Sequence, residues 1–158
     1  MRYFLIDKVT ELVVGEKARG VKNVSLADEY LHDHFPDYPI MPGALIIEAI
    51  AQLAGFLLSV TVNQDDAPPR RALLVQVRQA KFHQLVGPGD QLDIEVKLVS
   101  LLSSAALVKA EALVGNRRAV RAELMFTLNE IPSERVHEQL RYLYRLWTRH
   151  FDPPLTIR

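Results

Sequence analysis

His34-Phe35-Pro36-Asp37-Tyr38-Pro39-Ile40-Met41-Pro42-Gly43-Ala44-Leu45-Ile46-Ile47-Glu48-Ala49-Ile50-Ala51-Gln52 begins as a proline-stiffened loop and continues as the start of an apolar helix. Pro36, Pro39 and Pro42 each fix a backbone angle and remove a donor, which rules out continuous helix before Gly43. From Ala44 to Val62 almost every residue is apolar, so this stretch reads as one helix, with Pro42 in its first turn where the missing N–H costs nothing. The polar run Asn63-Gln64-Asp65-Asp66-Ala67-Pro68-Pro69 ends it. The segment has the length of a membrane span, yet it contains Glu48 and Gln52, and no second span shelters that carboxylate. A helix this apolar all round is therefore expected to be enclosed by protein.

On the N-terminal side, Lys8 to Val14, a turn at Gly15-Glu16, and Lys17 to Val24 read as a hairpin. On the C-terminal side the pattern changes to strands at Leu73 to Phe82, Gln91 to Leu101, Ala105 to Val114 and Ala119 to Leu128. Gly87-Pro88-Gly89-Asp90, Ser103-Ser104 and Gly115-Asn116 separate them. Two strands, one long buried helix and four more strands predict an α+β domain of the hot-dog kind, a curved antiparallel sheet wrapped around a central helix. Past residue 130 a further helix is predicted, with Ser133 as its cap and Val136, Leu140, Leu143 and Trp147 as its apolar face. Residues 1–130 are thus expected to form the main domain, and 131–158 a helical extension packed on it.

The 158 residues suffice for one domain with a core, and 49% apolar with 24% charged residues is the balance of a globular protein. Nineteen basic residues offset nineteen acidic ones, so the net charge points neither to nucleic acid nor to an anionic membrane. The absence of cysteine excludes disulfides, thiolate catalysis and cysteine-held metals. Asp7 interrupts the first residues before a signal-peptide core forms, and the expected location is the cytoplasm.

Glu48 lies five residues after Gly43, roughly 7.5 Å along the helix, and Gln52 follows one turn later on the same face. A carboxylate with an amide neighbour in an apolar helix is not what core packing selects, because an unpaired buried charge is strongly unfavourable. Free N–H groups and the positive dipole end favour negative charge at the helix N-terminus, and glycine at 43 admits a ligand close to the backbone. A histidine base, a carboxyl group and an oxyanion donor are the set needed to deprotonate the carbon beside a thioester and expel a hydroxyl from the next one.

His-Phe-Pro-x-x-Pro-Ile-Met-Pro-Gly from His34, followed fourteen residues after that histidine by Glu-Ala-x-Ala-Gln, resembles the signature of the β-hydroxyacyl-acyl-carrier-protein dehydratases of bacterial fatty acid synthesis, the FabZ type. Phe4 to Val9, Val21 to Val24, Ala80 to Phe82 and Val86 to Asp90 also match comparable family segments, so the resemblance runs over about residues 3 to 128. It implies that His34 removes the C2 proton and that Glu48, either protonated or acting through a water, helps the C3 hydroxyl leave. It also implies that the Gly43 amide, with Ala44 beside it, holds the thioester oxygen, and that Gln52, Phe35 and Pro42 support the site. The resemblance further implies a homodimer whose sites take His34 from one chain and Glu48 from the other, with trimers of dimers common. The partner it implies is acyl carrier protein bearing the substrate on phosphopantetheine, and no cofactor or metal is expected. Glutamate at 48 differs from the related FabA type, which uses aspartate and also moves the double bond. Reversible dehydration without isomerisation is therefore expected.

Asp37 stands where the family usually has glycine, and aspartate tolerates left-handed backbone better than most residues. The segment after Leu128 exceeds a minimal member and leaves a polyketide or polyene pathway open beside fatty acid synthesis. Two other readings compete: a hot-dog thioesterase that directs water at C1, and a non-catalytic acyl-chain binding protein.

Overall fold

The computed structural model describes residues 4–158; Met1, Arg2 and Tyr3, which open the expected main domain, lie outside the described residues. Strands β1 (Lys8–Val13) and β2 (Lys17–Asn23) form the expected hairpin, and α1 (Gly43–Val62) follows the proline-rich loop. Then come β3 (Arg70–Phe82), β4 (Gln91–Leu101), β5 (Ala105–Val114), β6 (Arg117–Glu130) and α2 (Glu134–Trp147). The strands make one antiparallel sheet in the order β1-β2-β4-β5-β6-β3, leaving β1 and β3 at the edges.

Alternation sets the inner face. Leu92, Ile94 and Val96 of β4 and Val120, Leu124 and Phe126 of β6 are buried, and between them β5 offers the small Ala106, Ala110 and Ala112. The sheet thus wraps α1, whose Ile46, Ile50, Leu53 and Leu57 are essentially inaccessible. At Gly20 a Cβ atom would lie 3.0 Å from the Lys8 carbonyl and 3.2 Å from Leu53, so glycine is what lets β2 run this close to the helix. Gly43–Val62 is long and apolar enough to cross a membrane by composition, but 61% of its most apolar window is buried inside the protein, as a core helix requires.

Several sequence-based expectations shift. Pro42 sits just before the helix rather than in its first turn, at φ −56° and ψ 132°; its carbonyl accepts the Leu45 and Ile46 amides and so opens the ladder. β3 starts at Arg70 because the Asn63 side chain both accepts from the Arg70 amide and donates to its carbonyl, closing the polar loop. β6 starts at Arg117, whose charged neighbours still pair with β5 while their side chains face solvent. A short 3-10 turn, Glu29–Leu31, interrupts what reads as plain loop.

Ser133 does precede α2, but it caps through its carbonyl, which accepts the Val136 and His137 amides, and makes no side-chain cap bond. The buried face of α2 is His137, Leu143, Tyr144 and Trp147, with Leu140 half-buried; Val136 is turned outward. Phe56 of α1 receives this face edge-on, its ring centroid 5.1 Å from Tyr144 and 6.3 Å from Trp147.

Candidate active site

The loop before α1 is built around His34. Its Nδ1 lies 2.9 Å from the Ile40 carbonyl, and the Ile40 amide donates back to the His34 carbonyl at 2.8 Å. A carbonyl only accepts, so Nδ1 carries a proton and donates it to Ile40. Phe35 stacks on the imidazole at 4.4 Å, and Phe35 and Tyr38 exchange both backbone bonds at 3.0 Å. That tight turn places Asp37 at φ 61°, the left-handed conformation anticipated for this position. Among the described residues no ion pair joins Asp37 to His34. The Met41 amide donates to the Val86 carbonyl at 2.7 Å, tying the loop's end to the segment before β4.

At the foot of the loop α1 begins, and the Gly43 and Ala44 amides precede the first intrahelical bond, which the Leu45 amide makes. Gly43 is also a point of close approach: a Cβ there would come within 2.8 Å of the Phe82 ring. Phe82 closes β3, so the end of the edge strand borders the helix N-terminus.

One turn further on, Glu48 is half-buried, and its Oε1 accepts a 2.9 Å bond from Gln52 Nε2. The Gln52 oxygen accepts the Leu5 amide at 3.0 Å, which fixes the amide's orientation and aims its NH2 at the carboxylate. Both residues open onto a cleft of about 340 Å³ between α1, the first half of β3 and α2. His34 does not line it. A single protomer therefore brings Glu48 and Gln52 together, places Gly43 and Ala44 on the same helix, and holds His34 with Phe35 and Pro42 on the neighbouring loop.

The far part of this cleft was not legible as functional. Tyr144 and Trp147 are buried, as packing residues are, and they also wall the cleft, while His137 is buried as a structural residue. Arg71, 3% exposed, lines the same cleft. An arginine at the head of the apolar run Ala72-Leu73-Leu74-Val75 was the available signal.

A single antiparallel sheet curled around one central helix defines a hot-dog-fold protein, here with a carboxylate one turn inside that helix and a histidine on the loop before it. Within that class the chain belongs to the FabA-like domain family, which matches residues 1–123. The 3-hydroxyacyl-acyl-carrier-protein dehydratase FabZ of Clostridioides difficile (strain 630) is 39% identical over 129 residues, spanning 81% of this chain and 88% of that protein. Two solved structures share the fold. A Streptococcus mutans protein bound to acetyl CoA superposes with a TM-score of 0.65 at 16% identity, over 84% of this chain and 96% of its own. The dehydratase heterocomplex ApeI:P of Xenorhabdus doucetiae does so at 0.56 and 15%, over 74% and 92%.

Proposed function

We propose that this protein is a 3-hydroxyacyl-acyl-carrier-protein dehydratase that forms the trans-2-enoyl thioester and water reversibly, in fatty acid or related acyl-chain synthesis. The observation that carries the reading is the Glu48 carboxylate, aimed by Gln52 into a cleft of acyl-chain dimensions. The FabZ relatives support the same chemistry.

In the reaction His34 Nε2 takes the C2 proton, the C2–C3 double bond forms, and the C3–O bond breaks as Glu48 delivers a proton to the hydroxyl, directly or through a water, so that it leaves as water. The thioester oxygen gains charge during proton removal and is held by the Gly43 amide, with Ala44 beside it and the helix dipole behind both. A positioned base contributes about 10²- to 10⁴-fold in rate.

The base comes from a second protomer. β3 is an edge strand of 13 residues, and Val75, Val77 and Phe82 on it are 55%, 44% and 52% exposed. A long apolar edge is an aggregation hazard unless covered. Two copies of β3 pairing about a twofold axis would cover it. Leu73 and Leu74 are exposed on this strand and also line the cleft, so a partner seated there stands beside Glu48. Residues 1–130 form the dehydratase unit and 131–158 an extension packed on it, working with acyl carrier protein in the cytoplasm.

The test is absorbance of crotonyl and longer trans-2-enoyl thioesters between about 260 and 280 nm, with free thiol measured in parallel. Loss of the conjugated signal without thiol release, reduced at least about 100-fold in His34→Ala and Glu48→Gln, is expected. Thiol release at the same rate would make the protein a thioesterase, and binding without turnover a carrier.

A further inference from the structure

The cleft that opens at Glu48 runs along one face of α1, past Gln52 and Gly55 to Ser59, about 16 Å further along the helix axis. Between Leu53 and Val60 every residue of that helix is buried except Gly55, which is half-buried where it lines the cleft. Glycine inside a helix is less stable than alanine, so its presence calls for a reason. At Gly20 and Gly43 the reason is a neighbour that a Cβ would strike, whereas at Gly55 a Cβ would meet nothing within 4 Å. What glycine preserves here is open space in the cleft.

The far end is closed by α2. Tyr144 reaches across to Ser59, with the two hydroxyl oxygens 3.5 Å apart and both residues buried. Phe56 and Trp147 hold the Tyr144 ring, their centroids 5.1 and 5.6 Å from it. Beyond this contact lies a void of about 10 Å³ between Val60, Asn63 and the C-terminal segment, room for about one water and not for a hydrocarbon chain. Leu140 and Leu143 of α2 line the cleft on the near side of the contact. All of this wall lies past the family-matched residues 1–123, so the chain supplies it from its own C-terminal extension.

We propose that Gly55 and Tyr144 set the length of acyl chain the site accepts, Gly55 by leaving a passage beside α1 and Tyr144 by ending that passage at a chain of about twelve carbons. The inference rests on the dehydratase reading, which seats C3 of the substrate beside Glu48, and it assigns the substrate class for that same cleft. An extended hydrocarbon advances about 1.3 Å per carbon, and contact with the Tyr144 ring keeps the terminal methyl about 3.5 Å short of the end wall. The remaining distance holds about nine carbons beyond C3. Leu143, Trp147 and Phe126 surround these methylenes with apolar surface, so each carbon added up to the limit gains binding, and the next must displace Tyr144.

The experiment measures hydration of trans-2-enoyl pantetheine thioesters of four, eight, twelve and sixteen carbons by the full chain, below their micellar concentrations. In the unaltered protein kcat/KM is expected to rise from four to twelve carbons, mainly through KM, and to fall at least about tenfold at sixteen. Gly55→Leu, which fills the passage, should lower the ratio of kcat/KM for twelve carbons to that for four by at least about tenfold, and Gly55→Ala by about threefold. Gly55→Ala adds one methyl into open space at a position where alanine favours the helix, so it reads the passage even if Gly55→Leu fails to fold. Turnover that stays level or keeps rising through sixteen carbons overturns the end wall, and an unchanged ratio in the Gly55 variants overturns the passage; either result leaves the dehydratase reading standing. Failure of all four thioesters with the unaltered protein removes that reading and the length gauge with it.

Discussion

Asp37 shows how one backbone angle bears on the chemistry. Its φ of 61° lies where β-branched side chains are strained, and the turn it completes is the one that carries His34. Asp37→Val is expected to lower unfolding free energy by about 1–2 kcal/mol and to reduce kcat with it, whereas Asp37→Asn should change neither appreciably. Denaturant unfolding and enoyl hydration measure the two effects. Asp28 acts further back along the same loop. Burial raises its carboxyl, but hydrogen bonds from the Tyr30 hydroxyl and the Ser25 amide, together with the Lys22 charge, outweigh that and leave it below its ordinary value of 3.8. A carboxyl lowered in the folded state adds stability that is fully present above its ordinary value and is lost as pH falls through the lowered one. The loss on acidification below about pH 4 should therefore be shallower in Asp28→Asn than in the unaltered protein, read from melting temperature against pH.

The C-terminal helix α2 is integral to the core. Trp147 is 2% exposed and meets both Phe56 and Tyr144, so Trp147→Ala is expected to cost about 3–4 kcal/mol by the loss of buried area and the cavity left behind. Calorimetric unfolding checks it; a change under about 1 kcal/mol would mean that α2 is only loosely docked. Helices and strands were largely readable because their periods are strong: α1 is apolar throughout, and β4 to β6 alternate cleanly between turn signals. The α2 face was read only in part. Val136 fits the helical spacing but points outward, while His137 and Tyr144, polar by composition, are buried because Arg71 and Ser59 supply their partners. Polar residues buried by pairing across more than sixty positions leave no local trace in sequence. The motif loop was different: histidine, prolines, glycine and glutamate are all within nineteen consecutive residues, so the candidate site could be named before its geometry was known.

For the whole molecule, the separation of His34 from the Glu48 cleft and the apolar edge of β3 have one common explanation. On the proposed reading each protomer would supply His34 to one site and Glu48 to another, and pairing along β3 would complete two sites. Gln52, bonded to the Leu5 amide, also ties the carboxylate's position to the N-terminal segment, so each half-site depends on a folded protomer. The sharpest test of this account mixes chains carrying His34→Ala with chains carrying Glu48→Gln, each inactive alone, by co-expression or by unfolding and refolding together. If the two residues meet across a twofold dimer, a mixed dimer contains one intact site, and random pairing should restore about a quarter of the unaltered enoyl-hydration rate. Recovery of no activity from mixtures shown to contain mixed dimers would place both groups in one protomer and contradict the account.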